Sequence, residues 1–431
     1  SEQGIEKTIF TGYVEFGQQS GEIIGLLHEN VPIEKLEGGC TGAMIVDVTP
    51  FYGESGGQVG DRGKARTDNG HALVSDTQRL PGGLVLHSVK VESGELSIGD
   101  KVMLAIDTEW RVNTARNHTA THLLHAALRD RLGEHVRQSG SMVAPDHLRF
   151  DFSHFAPVDA GQLTELERDV NEVIRADITM EVSEMTHREA IDQGALAFFG
   201  DKYGDVVRVV NVPGISTELC GGTHVARTGE IGTFMIIKEE SVAAGTRRIE
   251  AITGAAAVEC LQQQRSRLRQ VTASLKTSEE DALDSVDRVL LRLKEVERGN
   301  EELRMRLASR EASTDLEDYE VEVKGIKLLR REVEDLDAGG LRSLADSMKK
   351  EIGSGIVVLG TRNDDGAQIV VGVTADLSRR IKAGDIVSSL AKLVGGGGGG
   401  KAEMAQAGGP DGSNLSRMFE TSTSIIEKLL G

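Results

Sequence analysis

The residues best equipped for chemistry are His118 and His122, separated by Thr-Ala-Thr, and Cys220 and His224, separated by Gly-Gly-Thr. Four residues apart on a helix, two side chains lie on one face a turn apart, so His118 and His122 can aim at a common ion. Gly221 and Gly222 leave the backbone free to turn between a thiolate and an imidazole. One Cys with three His makes a tetrahedral nitrogen and sulfur shell suited to one zinc ion. Six of the eleven histidines fall between His118 and His154, with His125 close to the same face, so clustering alone is a weak signal. A Cys beside two glycines and a His has no ready packing explanation, and the two pairs reinforce each other. The spacing does not follow a zinc finger, whose ligands lie within roughly thirty residues. No Glu follows His118, which argues against a metalloprotease.

These side chains need elements to hold them. Residues 110–132 contain no Pro or Gly and are rich in Ala, Leu and Arg, which predicts a helix carrying His118 and His122. A second helix is expected at 160–176, with strands near 178–183, 206–210 and 231–238, so the block 109–254 reads as α+β. Before it, residues 1–108 alternate β-rich runs (8–16, 43–48, 71–75, 84–91, 101–106) with glycine turns, which predicts a small β-barrel. Residues 255–311 turn helical, with Leu261, Leu268 and Leu275 seven apart and then Leu283, Val286, Leu290, Leu293 and Val296. Thr277 and Glu280 form a capping-box pattern between the two runs, so an antiparallel helical hairpin is expected. An acidic linker covers 311–318. A C-terminal α/β globular domain, 319–431, then reads strand 320–324, helix 341–352, strands 356–360 and 368–374, helix 377–393, a glycine loop and a helix from Asn414. The fold class is a multidomain α+β chain.

Charge and composition narrow the setting. The 431 residues carry 49 Lys and Arg against 68 Asp and Glu, a formal charge of -19, which disfavours bulk electrostatic binding of a nucleic-acid duplex. Residues 320–431 are nearly balanced, 15 Lys and Arg against 16 Asp and Glu, so local phosphate contacts there stay open. Cys40, Cys220 and Cys260 are too few for a disulfide framework, and a reducing, cytoplasmic compartment is expected. No apolar run is long enough for a membrane span, and Ser1-Glu-Gln-Gly4 has no signal-peptide character. A start without Met suggests a processed chain or an excised piece of a longer one.

Three further motifs carry a chemical reading beside a bland one. Gly395, Gly396, Gly397, Gly398, Gly399 and Gly400 followed by Lys401 present unobstructed backbone N–H groups and a cation, which suits a phosphate, the alternative being a linker. Gly56-Gly57-Gln58 matches the tripeptide with which release factors hydrolyse a tRNA ester, but its place in a β-rich region favours a turn. Arg247-Arg248 reads equally as a phosphate contact or a solvated strand end. For Arg265, Arg267 and Arg269 a solvated helix face is the default.

Together these motifs resemble a family. Asn117-His-Thr-Ala-Thr-His-Leu-Leu-His125, Gly200-Asp-Lys-Tyr-Gly204, Glu218-Leu-Cys-Gly-Gly-Thr-His-Val225, the glycine run with Lys401, and Phe51-Tyr-Gly-Glu-Ser-Gly-Gly-Gln-Val-Gly-Asp61 resemble the bacterial alanyl-tRNA synthetases, in that family's order. The resemblance covers essentially the whole chain. It implies the C-terminal half of such an enzyme: a barrel, a zinc-containing editing domain, a helical arm and a globular domain related to the DHH-associated family. The aminoacylation domain, with its ATP and Mg2+, is not expected here, nor is alanyl-adenylate formation.

By the same resemblance the middle block hydrolyses mischarged Ser-tRNA(Ala) or Gly-tRNA(Ala). An alanine pocket rejects an added hydroxyl poorly and glycine simply fits, so a second sieve is required. The zinc ligands are then His118, His122, Cys220 and His224. Thr121 takes the serine hydroxyl, Gln138 is a polar pocket residue of the editing site, and Arg247 contacts the tRNA 3′ end. Zinc would position the aminoacyl α-amine or a water, with Gln138 or Thr121 orienting the nucleophile. The C-terminal domain would bind the outer corner of tRNA(Ala), and a homodimer through it is a further implication. Two rival classes stand beside this one: a non-catalytic tRNA-binding and dimerisation module with a structural zinc, and a free-standing metallohydrolase of small esters.

Overall fold

The computed structural model describes residues 7–13, 17–196, 205–314, 320–334, 336–363 and 366–431. Residues 200–204, and 315–318 of the acidic stretch, lie outside them. Contacts divide the chain into two compact units, Ser1–Leu268 and Arg269–Gly431.

The first unit opens with ten strands: Ile9–Phe10 (β1), Gln18–His28 (β2), Val31–Ile33 (β3), Lys35–Glu37 (β4), Thr41–Val46 (β5), Val48–Thr49 (β6), Gly63–Arg66 (β7), Gly70–Arg79 (β8), Val85–Ser97 (β9) and Lys101–Ile106 (β10). Antiparallel neighbours run β10-β7-β8-β9-β5-β2, and β2 pairs back to β10 with Gly21 opposite Val102. The sheet therefore closes into the expected barrel, and closure removes free edges from those six strands. Its interior is filled by alternate residues such as Ile23, Met44, Val89, Val91, Val102 and Leu104. Of the strand expected over 8–16, residues 14–16 lie outside the described ones and the described part contains β1; the long strand starts at Gln18, where the polar run Gln-Gln-Ser-Gly-Glu hides it.

The middle block contains Thr108–Leu132 (α1), Gln138–Val143 (β11), Leu148–Ser153 (β12), Ala160–Arg175 (α2), Glu181–Thr186 (β13), His187–Asp192 (α3), Val206–Val212 (β14), Ser216–Leu219 (β15), Phe234–Ala243 (β16) and Thr246–Thr253 (β17). A four-stranded sheet in the order β11-β12-β17-β16 shares one core with α1 and α2, built on Leu123, Leu128, Phe150, Phe152, Leu166, Val170 and Ile249. A smaller sheet, β13-β14-β15, leads into the Cys220 loop. The Asp107 carboxylate caps α1 by accepting from Trp110 N–H. The helix is buried around most of its surface, including Arg111, His118, Thr121, His122 and His125, so it has no single apolar stripe.

Arg111 ties this helix to the barrel. It is fully buried and paired with Asp61, while its remaining N–H groups donate to the carbonyls of Gly12 at 2.7 Å and Pro50 at 2.8 Å. Asp61 in turn accepts from Tyr52 N–H at 2.7 Å. Every charge is satisfied in place, which is what makes such burial tolerable.

Two long helices follow, Gly254–Leu275 (α4) and Ala282–Thr314 (α5). The break falls where expected, but the capping contact is one residue later than Thr277 and Glu280: Ser278 Oγ accepts from Asp281 N–H at 3.2 Å. Helix α5 runs to Thr314, so Glu311 and its neighbours are helical and not linker. Leu261, Leu268, Leu283, Leu290 and Leu293 are exposed.

In the second unit Glu320–Val323 (β18), Ile326–Glu332 (β19), Gly355–Asn363 (β20), Gly366–Val373 (β21), Gly397–Gly400 (β22) and Met404–Gly409 (β23) form one sheet ordered β18-β19-β20-β21-β23-β22. The parallel pair of this sheet, β19 with β20, is joined by Ala338–Ile352 (α6). Helix α6 covers one face through Leu341, Leu344 and Met348. Ala383–Ala391 (α7) and Leu415–Leu429 (α8) cover the other through Ile386, Leu390, Leu415 and Ile426. Helix α7 starts at Ala383, six residues later than expected, and the glycine run is an edge strand and not a loop.

Replacing Arg111 with Ala strands the buried Asp61 carboxylate and is expected to cost about 3–5 kcal/mol in denaturant unfolding of the first unit. His87, fully buried against Thr49 Oγ1 at 2.8 Å, is pushed down to about 4 by burial, only partly offset by its contact with the Met44 carbonyl. The unfolded chain takes up this proton near pH 6.5 and the folded one near 4, so stability present above 6.5 is lost as pH falls between those values. The loss amounts to about 3 kcal/mol. Unfolding curves of His87→Gln should lose less stability than wild type between pH 7 and 4.5.

Candidate metal centre

Helix α1 and the turn after β15 bring His118, His122, Cys220 and His224 together, with one potential ligand atom from each lying within 4.8 Å of all the others. The imidazole rings are 4.4–5.3 Å apart, centre to centre. Cys220 Sγ lies 3.4 Å from His118 Nε2 and 3.2 Å from His224 Nε2. Gly222 is required at this approach: a Cβ there would fall 2.0 Å from His118 Cε1. Arg208, on β14, holds the turn by donating to the carbonyls of Cys220 at 2.8 Å and Gly222 at 2.9 Å. Its guanidinium also lies over the Tyr13 ring, whose hydroxyl donates to Gly221 O at 2.5 Å.

Each histidine has an acceptor at Nδ1. His118 Nδ1 lies 2.7 Å from Gln58 Oε1, His122 Nδ1 3.0 Å from a Glu218 carboxylate oxygen, and His224 Nδ1 3.1 Å from Thr119 Oγ1. The Thr119 hydroxyl already donates to Ala115 O, so toward His224 it accepts. Three Nδ1–H tautomers follow, and all three Nε2 lone pairs are left to a common point beside the thiol. Outer partners that fix ligand tautomers in this way are the usual support of a metal site. Burial pushes the Cys220 thiol up, but His118, His224 and His122 together hold it well below its ordinary range. Burial drives His224 down to about 3, whereas Glu218 and Cys220 outweigh burial at His122 and lift it to about 9, so at neutral pH a metal must displace the His122 Nε2 proton before that lone pair is free. A three-nitrogen, one-sulfur donor set with its tautomers fixed fits zinc.

Gln58 is the residue that sequence reasoning passed over. Gly56 and Gly57 are both left-handed, with φ of 61° and 85°, so the tripeptide does form the expected turn. The turn carries Gln58 to full burial, where its amide also accepts from Thr223 N–H at 2.8 Å and donates to Thr223 Oγ1 at 3.0 Å. Barrel and metal centre are thereby joined. Glu218 likewise serves twice, reaching His125 Nδ1 at 3.2 Å as well as His122.

Thr121 is buried on α1 and donates to Asn117 O at 2.8 Å, leaving its oxygen as an acceptor. Gln138 and Arg247 are placed elsewhere in the same unit, side by side across Phe152 in the register of β11, β12 and β17. Arg247 is engaged by Glu239 through two bonds of 2.5 and 2.6 Å, and Arg248 by Asp151 at 2.6 and 2.8 Å. In the second unit the glycines of β22 pair with β23 from Gly397 opposite Gly408 to Gly400 opposite Ala405. Gly395 and Gly396 precede that strand and Lys401 is exposed in the turn after it. A cavity of about 290 Å3 lies on this sheet, lined among others by Gln368, Gln406 and Gly397. Among the described residues no helix is long and apolar enough to cross a membrane.

Residues 2–110 match the family described as tRNA synthetases class II (A), residues 207–250 the Threonyl and Alanyl tRNA synthetase second additional domain, and residues 325–428 the DHHA1 domain. The chain is 45% identical over 425 residues to the alanine–tRNA ligase of Idiomarina loihiensis, covering 98% of this chain and 49% of that protein. It is 45% identical over 401 residues to that of Bacillus cytotoxicus, covering 93% and 45%. Among solved structures, the C-Ala domain from Aquifex aeolicus alanyl-tRNA synthetase matches 25% of this chain and 97% of that one at 27% identity, with a TM-score of 0.24. The chain spans about half the length of the curated relatives it matches, and it belongs to the alanine–tRNA ligase family.

Proposed function

We propose that this chain is the proofreading part of an alanine–tRNA ligase, hydrolysing the ester of mischarged Ser-tRNA(Ala) or Gly-tRNA(Ala) at a centre where His118, His122, Cys220 and His224 hold one zinc ion. The observation that carries the reading is the set of three fixed tautomers converging beside the partly buried Cys220 thiol. Zinc bound there supplies Lewis-acid charge and a rigid cross-link between α1 and the Cys220 turn. The other contributions come from the chain. Thr121, with its proton committed to Asn117 O, offers an oxygen that accepts from a serine hydroxyl; alanine lacks that group, so the contact favours the mischarged ester. Gln138 is assigned to orienting the attacking water, and Arg247 to the acceptor end once Glu239 releases it. The leaving group is a ribose hydroxyl, which needs no strong general acid.

The arm 255–311 and the domain 319–431 are assigned to holding tRNA(Ala). Strand β22 supports this, because its outer edge is side-chain-free backbone ending beside Lys401, which suits a phosphate. One observation favours a second reading. A shell of four protein ligands is closed, as structural zinc sites are, and a non-catalytic tRNA-binding and dimerisation module would need no more.

Deacylation of Ser-tRNA(Ala) against Ala-tRNA(Ala) separates the two: the proofreading reading expects turnover of the serine ester only, lost together with zinc in His122→Ala. No turnover by the wild type selects the binding module. Replacing Gln58 with Leu removes the acceptor at His118 Nδ1 and should weaken zinc about 10–100-fold in a chelator competition, the usual effect of losing an outer partner. Unchanged zinc affinity would contradict the assigned role. Lys401→Glu is expected to weaken tRNA binding in a filter assay and to leave zinc content untouched.

A further inference from the structure

Strand β12 ends in a column of rings that the assignments above leave unused. Phe150, Phe152 and His154 alternate along one face, with Phe150 and Phe152 stacked at 6.1 Å and 17° and Phe152 and His154 at 6.4 Å and 28°. The first two are fully buried. His135, just past the end of α1, continues the column at the surface: its ring lies 5.2 Å from His154 at 25°, and its Nε2 is 2.9 Å from His154 Nδ1. Beside it Phe155 is 91% exposed, the largest exposure of any large apolar side chain among the described residues, in a chain with 3% aromatic residues. Phe155 rests against Gly245 in the turn between β16 and β17, and His154 N–H donates to Gly245 O at 3.0 Å.

We propose that His135, His154 and Phe155 form a stacking platform for an unpaired nucleobase of an RNA strand. The inference rests on the proofreading reading, in which the single-stranded end of a tRNA must lie along this unit. Three features point to a base and not to a phosphate or a protein groove. The column presents flat rings, which every base can extend through its π-face. The Arg247 guanidinium on the flanking strand is held by Glu239 in this structure, so the rings and not a free cation are what the surface presents. Gln138 and Arg247 lie opposite Phe152 on the flanking strands, placing an amide next to the column. From His122 to the end of α1 the helix rises about 15 Å, a separation that a few nucleotides of single strand would span.

The test uses the intact chain and a short single-stranded RNA ending in the unpaired tRNA(Ala) acceptor sequence, with affinity read by fluorescence anisotropy and Ser-tRNA(Ala) deacylation measured alongside. Phe155→Ala and His135→Ala should each weaken the RNA about tenfold, within the range of losing one base stack. Phe155→Trp should retain affinity, and an RNA with abasic sites should bind weakly to every variant alike. Both positions are exposed, so the variants fold. Equal affinity of wild type and both alanine variants overturns the platform even if deacylation is intact. Serine-ester turnover absent from the wild type, with the affinity differences present, overturns the proofreading reading and leaves the platform standing. No RNA binding by the wild type removes the platform.

Discussion

An imidazole has two ring nitrogens and, when neutral, one proton to place on them. Three histidines can aim lone pairs at one point only if each has an acceptor holding its other nitrogen. Here those acceptors come from three parts of the first unit: Gln58 from the barrel, Glu218 from β15, and Thr119 from α1 itself. That requirement explains why a buried glutamine sits at the tip of a barrel turn and a buried carboxylate two residues before the thiol. It also explains why Gly222 has no side chain: the turn must pass within contact distance of His118.

The barrel is accordingly a component of the centre and not a neighbour of it. Gln58 can reach His118 only if the barrel and α1 keep a fixed relation, and the buried Arg111–Asp61 pair, three residues from Gln58, supplies it. Trp110 adds a bond from its indole N–H to Gly60 O at 3.1 Å, with Arg62 over its ring. Backbone pairing of Gly57 and Val59 with Val143 closes the other side. Helix, barrel turn and β11 thus form one continuous support, and a loss anywhere along it is transmitted to the geometry of the ligands.

The ligand set itself was legible in the sequence because helical spacing and a glycine turn are local signals. The barrel, α1, α2 and the two long helices were legible for the same reason. The outer partners were not: Gln58 lies 60 residues from His118, and Glu218 lies 93 from His125, so no window contains both members of either pair. Strand β11, Gln138-Ser-Gly-Ser-Met-Val143, shows no apolar alternation and becomes a strand through pairing with β12 and the barrel turn. The glycine run was misread as a loop because glycine has poor strand propensity, which ladder pairing with Ala405 and Ala407 overrides. Arg247 reads as a free cation in sequence, and only the fold reveals Glu239 opposite it.

The central claim is that one zinc ion sits on three imidazole nitrogens and the Cys220 thiolate. X-ray absorption of the zinc-loaded chain tests it most directly. The account predicts one zinc per chain with three nitrogen scatterers at about 2.0 Å and one sulfur at about 2.3 Å. A spectrum with no sulfur scatterer, or a chain that retains no zinc after purification in its presence, would contradict it.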